Sequence, residues 1–227
     1  LKKLIKKILL SPYIAKKITK ILLRIHRVSY TYLGLFSGAS ENGIHPKHRL
    51  TNYHKFFVDN ISENDAVLDV GCGNGLLLRD IAVKTTAVVV GVDISEDNIK
   101  TAIKELSTLP NVEIIHSDIR EYNEKRTFDS IVLSNVLEHL DRRVELLRRL
   151  NEQFKPKHFL IRVPMFEREW VVPYKKELGV EYRLDATHKI EYTEGEFRDE
   201  LAKAGLMIKS IAIKWGEIYA VVVSRNE

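Results

Sequence analysis

An apolar run that ends in an acid, Val67-Leu68-Asp69-Val70, gives way at once to Gly71-Cys72-Gly73-Asn74-Gly75 and then to Leu76-Leu77-Leu78. Glycines at this spacing let the backbone turn sharply and approach a ligand closely, and amides at the head of the following helix attract an anionic group. A second acid, Asp93, closes the run Gly91-Val92-Asp93 before Ile94-Ser95, 24 residues after Asp69 and thus one βαβ step along the chain. A carboxylate there can accept both hydroxyls of a ribose, which is what a nucleoside requires of that strand end. A third, Asp118, follows in His116-Ser117-Asp118-Ile119. The rival is a dinucleotide site with its G-x-G-x-x-G fingerprint. Here the third glycine comes one residue early, at Gly75, and Leu76 stands where that pattern needs glycine. The plainer reading is a tight strand-to-helix turn, with each Asp capping the next helix. Three acids at three successive strand ends behind one glycine loop favour the nucleoside.

The elements that must position these residues alternate. Apolar, β-branched runs at 66–70, 87–92, 112–116, 128–134 and 158–163 are separated by helical stretches near 75–84, 95–106 and 141–153. Such alternation predicts βαβ units and a parallel sheet covered on both faces. A helix at 194–204 stops at Gly205, and strands at 207–214 and 218–224 follow across the short turn Trp215-Gly216-Glu217, so this last pair is antiparallel. A helix is expected over 48–60 after a turn-rich joint at 34–46, and 165–192 shows little periodicity but many polar and aromatic side chains. A long insertion after a strand's carboxyl end lies where open α/β sheets bind ligands, and it reads as a cap over the acceptor substrate.

From about residue 46 to 224, this glycine loop and this order of elements resemble the class I S-adenosylmethionine-dependent methyltransferase superfamily. The resemblance implies a Rossmann-like, doubly wound, seven-stranded, mostly parallel sheet with a C-terminal antiparallel hairpin. It implies S-adenosylmethionine as cofactor and S-adenosylhomocysteine as product. It places the cofactor on Asp69, Gly71, Cys72, Gly73, Gly75, Asp93, Ile94, Asp118, Ile119 and Asn135. Asp69 would hold the charged methionine end, Asp118 would take the adenine amino group, and Ile94 and Ile119 would sandwich the purine.

Methyl transfer from a sulfonium is an in-line displacement that needs positioning more than a protein nucleophile, although a hydroxyl acceptor is helped by a base. Ser134-Asn135-Val136-Leu137-Glu138-His139-Leu140 leaves the fourth strand and resembles the superfamily's Leu-Glu-His signature. His139 is one base candidate and His188, in Thr187-His188-Lys189-Ile190-Glu191, another; Glu138 joins them as a catalytic candidate or braces the next helix. Some relatives bind a divalent metal through Glu-x-x-Glu-His. This chain has Asn135 in the first position, and loss of a carboxylate weakens a hard-cation site, so no metal is expected.

Composition bounds the rest. The 227 residues suit one catalytic domain, taken as 46–227 with its cap at about 165–192, plus an N-terminal extension over 1–45. The net charge of +5 is unevenly spread. Residues 1–40 hold nine Lys or Arg and no Asp or Glu, and the remaining 187 carry 27 basic against 31 acidic residues. A mildly acidic body is no nucleic-acid groove, so nucleic acid is not the expected partner. The lone Cys72 fits a reducing, cytoplasmic setting, and no apolar run is long enough to span a bilayer. Apolar residues at helical spacing among the lysines predict amphipathic helices, the second beginning at Pro12. Residues 1–28 suit an anionic membrane surface at the inner face; a lid on the cofactor site and a dimerisation arm are the alternatives. The expected activity is O-methylation of a small-molecule, glycan or lipid-linked acceptor. An RNA methyltransferase using the basic tail, or a cofactor-binding module without turnover, stand beside it.

Overall fold

The computed structural model describes residues 2–225. Leu1, which falls within the expected amphipathic stretch 1–28, lies outside them, as do the side chains of Lys2, Leu4 and Ile5. Two compact units emerge: Leu1–Asn52 with Glu169–Leu184, and Tyr53–Arg168 with Asp185–Glu227.

The larger unit is built on a seven-stranded sheet. β1 (Val67–Val70), β2 (Val89–Asp93), β3 (Val112–His116), β4 (Ser130–Ser134) and β5 (His158–Pro164) are parallel; β6 (Leu206–Lys214) and β7 (Glu217–Ser224) complete it in the order β3-β2-β1-β4-β5-β7-β6. β7 is antiparallel to both β5 and β6. The two strands meet through Trp215 and Gly216, which both take positive φ, 56° and 74°. A two-residue turn of that hand matches the twist of its flanking strands.

Alternate strand residues serve two cores. Leu68, Val70, Ile131, Leu133, Phe159 and Ile161 join one, and Val67, Val89, Val132 and Leu160 the other. The first core also holds Leu146, Leu147, Leu150 and Phe154, and Phe197 and Leu201. These come from helices Arg143–Phe154 and Glu194–Lys203. The second takes Leu78 and Ile81 from Leu76–Lys84, Ile99 and Leu106 from Glu96–Leu106, and Phe57 from His54–Asp59. The alternation follows from the two-residue period of a strand whose faces are both covered.

The local code behind these helices is visible. Ser95 caps Glu96–Leu106 by accepting from the Asn98 amide at 3.4 Å, with Glu96 and Asp97 in the first turn. Thr193 and Glu196 form a reciprocal box at the head of Glu194–Lys203: the Thr193 hydroxyl accepts from the Glu196 amide at 3.2 Å, and the Glu196 carboxylate accepts from the Thr193 amide at 2.9 Å.

In the smaller unit the first helix spans Lys2–Leu9 and the second Pro12–Ser40. The expected joint at 34–46 is therefore shorter than the composition suggested, because Gly34, Ser37, Gly38 and Ser40 all lie inside the second helix. Ser37 and Ser40 donate back to the carbonyls of Gly34 and Ser37, at 3.1 and 2.8 Å, which keeps their hydroxyls from competing with the helix. The chain turns only at Asn42 and Gly43, both at positive φ.

The single helix expected over 48–60 is two, Lys47–Thr51 and His54–Asp59. Asn52, at φ 46°, closes the first in the left-handed region that Asn tolerates. The stretch 165–192 is also more regular than its sequence suggests, since Val171–Glu177 is helical. No helix among the described residues is long and apolar enough to cross a membrane.

Candidate functional site

The order of strands reverses between β1 and β4, and the loops after these two strands pack against each other there. A Cβ on Gly71 would sit 2.7 Å from the Val136 side chain, and Gly71 has φ 69°, so only glycine fits. Such a switch point is where doubly wound sheets bind ligands.

Around Gly73, by contrast, nothing stands within 4 Å of a built Cβ. The loop's own amides are mostly used internally. Those of Gly71 and Cys72 donate to the Val92 carbonyl at 2.7 and 3.1 Å, and that of Gly75 to the Cys72 carbonyl at 3.0 Å. Among the described residues the amides of Asn74 and of the first turn of Leu76–Lys84 have no backbone acceptor of this kind, and they are the donors suited to a carboxylate.

Asp93 ties the two strand ends together. One oxygen accepts from the Gly73 amide and the other from the Ser95 amide, each at 2.8 Å. A carboxylate has about four lone-pair sites, so two remain for vicinal hydroxyls. Asp69 is 1% exposed, and its Oδ2 has no hydrogen-bond partner among the described residues. Burial, with the neighbouring Asp93 charge second, pushes its carboxyl up to about 8. A buried acid held neutral in this way is matched to a cation, which would restore its charge.

The remaining cofactor candidates are placed unevenly. Asp118 lies just beyond β3, where it accepts from the Arg120 amide at 2.9 Å and pairs with the Arg120 guanidinium, which holds its carboxyl below the usual range. Ile94 is 65% exposed, whereas Ile119 is buried in the core. Cys72 is buried too. Its sulfur would lie 2.9 Å from a Cβ at Gly91, and burial, followed by the charges of Asp69 and Asp93, raises its thiol, so it is a packing residue and no thiolate nucleophile. Asn135 follows β4 at φ 56°, and its Oδ1 is buried without a hydrogen-bond partner among the described residues.

The catalytic candidates come together beside it. Leu137–His139 forms a 3-10 turn in which Glu138 is fully buried, and neither of its carboxylate oxygens has a hydrogen-bond partner among the described residues. Burial raises its carboxyl to about 7. The rings of His139 and His188 meet edge to face, 4.5 Å between centroids. His139 Nδ1 is 2.8 Å from the Thr187 hydroxyl, which donates to Asp185 at 2.7 Å. His188 Nδ1 is 3.0 Å from Glu191, which pairs in turn with Arg168. Burial, then the His188 charge, lowers the His139 imidazole, so at neutral pH it is unprotonated and able to accept a proton. Glu138, His139 and His188 also offer one ligand atom each within 4.8 Å of one another, as a metal ion would require.

Two residues escaped the sequence reading. Arg162, in the middle of β5, is 4% exposed and forms a fork with Glu217 at 2.7 and 2.6 Å. Its guanidinium stacks 3.7 Å from the Tyr53 ring centroid, and its field favours the ionised form of Glu138. Burial raises the Tyr53 phenol, against the opposing pull of the Arg162 charge. The signal was an arginine inside the otherwise apolar run His158-Phe159-Leu160-Ile161-Arg162-Val163; charged residues rarely enter a central strand unless paired.

Residues 67–157, from β1 into the loop before β5, match a family model described as a methyltransferase domain. Over that stretch, less than half of its length, the chain is similar to a methyltransferase domain. Two sequence relatives are both methyltransferases. The chain is 36% identical over 104 residues to malonyl-[acyl-carrier protein] O-methyltransferase of Halalkalibacterium halodurans, covering 44% of this chain and 38% of that one. It is 34% identical over 99 residues to the mitochondrial ubiquinone biosynthesis O-methyltransferase of Schizosaccharomyces pombe, covering 42% and 36%. The chain thus spans less than two thirds of the length of these curated relatives. Among solved structures, magnesium protoporphyrin IX methyltransferase from Synechocystis PCC 6803, with SAH bound, shares the fold at a TM-score of 0.62 and 17% identity, over 78% of this chain and 83% of that one.

Proposed function

We propose that this chain methylates an oxygen atom on a polar or amphiphilic acceptor at an anionic membrane surface. The observation that carries the reading is the pairing, across one switch point, of a cation-matched buried acid, Asp69, with an unprotonated histidine, His139. S-adenosylmethionine supplies the electrophilic methyl group on a sulfonium. Asp69 with the amides of Asn74 and of the first turn of Leu76–Lys84 would hold its amino-acid end, Asp93 its ribose and Asp118 with Ile94 its base. The open space at Gly73 and the partnerless Asp69 Oδ2 fit such a ligand.

His139 then takes the acceptor's proton. Thr187 fixes the ring through Nδ1, which leaves Nε2 as the basic atom, and neutral imidazole is the form that can work near pH 7. The related malonyl-carrier and ubiquinone-pathway enzymes are both named O-methyltransferases, which supports an oxygen acceptor. Membrane placement draws on the smaller unit: its second helix exposes Ile21, Leu22, Ile25, Val28, Tyr32 and Phe36, while residues 1–40 hold no acid. A screen of quinone precursors, lipid-linked sugars, glycans and acyl carriers with isotopically labelled methyl donor tests it. Label arriving only on nitrogen or carbon, or on none of these acceptors, refutes it.

One observation favours a second reading of the chemistry. Two partnerless carboxylate oxygens beside two imidazoles suit a divalent cation on Glu138, His139 and His188, with the Asn135 amide oxygen near in sequence. Two nitrogen donors favour a transition metal over magnesium. The metal would then polarise the acceptor oxygen in place of the base.

A further inference from the structure

The smaller unit contains a cavity of about 640 Å³ between the second helix and the segment 179–181. Its helix wall is Arg24, Arg27, Val28, Thr31 and Tyr32. At roughly 100° per residue, the exposed apolar stripe of that helix is centred on Ile25 and Phe36. Val28 and Tyr32 fall within about 80° of this centre, and Arg24 and Thr31 some 40° to 100° further round. The cavity therefore opens at the margin of the stripe, apolar on the near side and cationic on the far side. Leu23, further round, packs the helix onto Leu178 and Val180.

The charges in this cavity are unequal. Arg24 and Arg27, three residues apart on one face, form no ion pair among the described residues. The acid in the wall, Glu181, is already held by the Arg183 guanidinium through two bonds of 2.9 and 2.7 Å, and it also accepts from the Tyr182 and Arg183 amides, each at 3.1 Å. It still attracts Arg27 at longer range. Two guanidiniums next to a compensated carboxylate leave a net positive pocket, and a planar fork matches phosphate oxygens in pairs.

We propose that this cavity seats the phosphate headgroup of one anionic membrane lipid, with the lipid's hydrocarbon lying on the apolar stripe of the second helix. The assignment rests on the membrane reading above and sharpens it: a diffuse basic surface becomes a defined site for a phosphate-bearing amphiphile. Arg24 and Arg27 bind the phosphate, and Val28 and Tyr32 cover the start of the chains. Other basic residues of the tail contribute attraction to the surface without selecting a headgroup.

Vesicle flotation of the full chain tests this, using phosphatidylcholine vesicles with and without phosphatidylglycerol. Arg24→Gln/Arg27→Gln is compared with Lys16→Gln/Lys17→Gln, which removes the same charge from the same helix, with circular dichroism as the check that both fold. The wild type is expected to float with the anionic vesicles, and the arginine pair to partition at least tenfold more weakly than the lysine pair. Equal losses overturn the pocket and leave the membrane reading standing. A wild type that floats with neither vesicle overturns both. Calorimetry with a short-chain, monomeric phosphatidylglycerol and with inorganic phosphate gives the second measurement. Saturable 1:1 binding of the lipid, lost in the arginine variant, is expected; phosphate binding as tightly as the lipid overturns the amphiphile assignment.

Discussion

Replacing Asp69 by Asn changes how stability depends on pH, because the native carboxyl ionises at about 8 and an unfolded one near 4. Between these values the folded protein holds a proton that the unfolded chain has lost. The contribution of Asp69 to the stability of the ligand-free fold is therefore fully present below pH 4 and is lost as pH rises from there through 8. Four units at about 1.4 kcal/mol each set an upper bound of about 6 kcal/mol on the loss. Asn cannot ionise, so Asp69→Asn abolishes this part of the slope and makes the empty protein more stable than wild type at pH 9. Urea unfolding at pH 5, 7 and 9 measures it. S-adenosylhomocysteine should reverse the trend for the wild type: ionised Asp69 meets the ligand's ammonium, so binding at pH 7 releases about one proton, readable by calorimetry in buffers of different ionisation enthalpy. Asp69→Asn should weaken that binding and release none. Parallel pH slopes for wild type and variant refute the burial argument, and binding without proton release refutes the role of Asp69 as counter-charge.

Gly71→Ala forces a Cβ onto Val136 at a positive φ and should cost about 1–3 kcal/mol, with Gly71→Ala/Val136→Ala recovering part of it in thermal unfolding. Arg162→Met leaves the half-buried Glu217 with only the Tyr219 hydroxyl in place of its cation; a loss of about 2–4 kcal/mol in denaturant unfolding is expected, and a change under 1 kcal/mol would show the pair to be dispensable. His139→Ala should lower turnover by about 10²–10⁴ while leaving S-adenosylhomocysteine affinity within a few-fold. Chelation separates the two readings of the same cluster: turnover unchanged by EDTA supports the base, and turnover lost to EDTA and restored by a transition metal supports the cation.

The glycine loop and the strand-end acids were legible because their signals are local: an apolar run, an acid and small residues in fixed order. Misreadings arose where distant packing overrode local preference. Gly34 and Gly38 look like a joint, yet the helix runs through them, since glycine costs a helix only about 1 kcal/mol per residue. Asn52 broke a helix that hydrophobic spacing alone had joined. Glu138 looked like a brace for the next helix, a role an acid near a helix N-terminus commonly plays; no sequence pattern reveals that both of its oxygens are buried without partners. Arg162 was legible in principle, and its partner Glu217 was not, because 55 residues separate them in the chain.

The far edge of the sheet has a hierarchy built into it. β6 touches the other strands only through β7, which comes after it in the sequence yet lies between it and β5. Opening β7 must therefore release β6, while β6 can peel away alone. Amide hydrogen exchange should rank accordingly: protection in β6 never exceeds that in β7, and residues 206–224 open as a nested pair of cooperative steps.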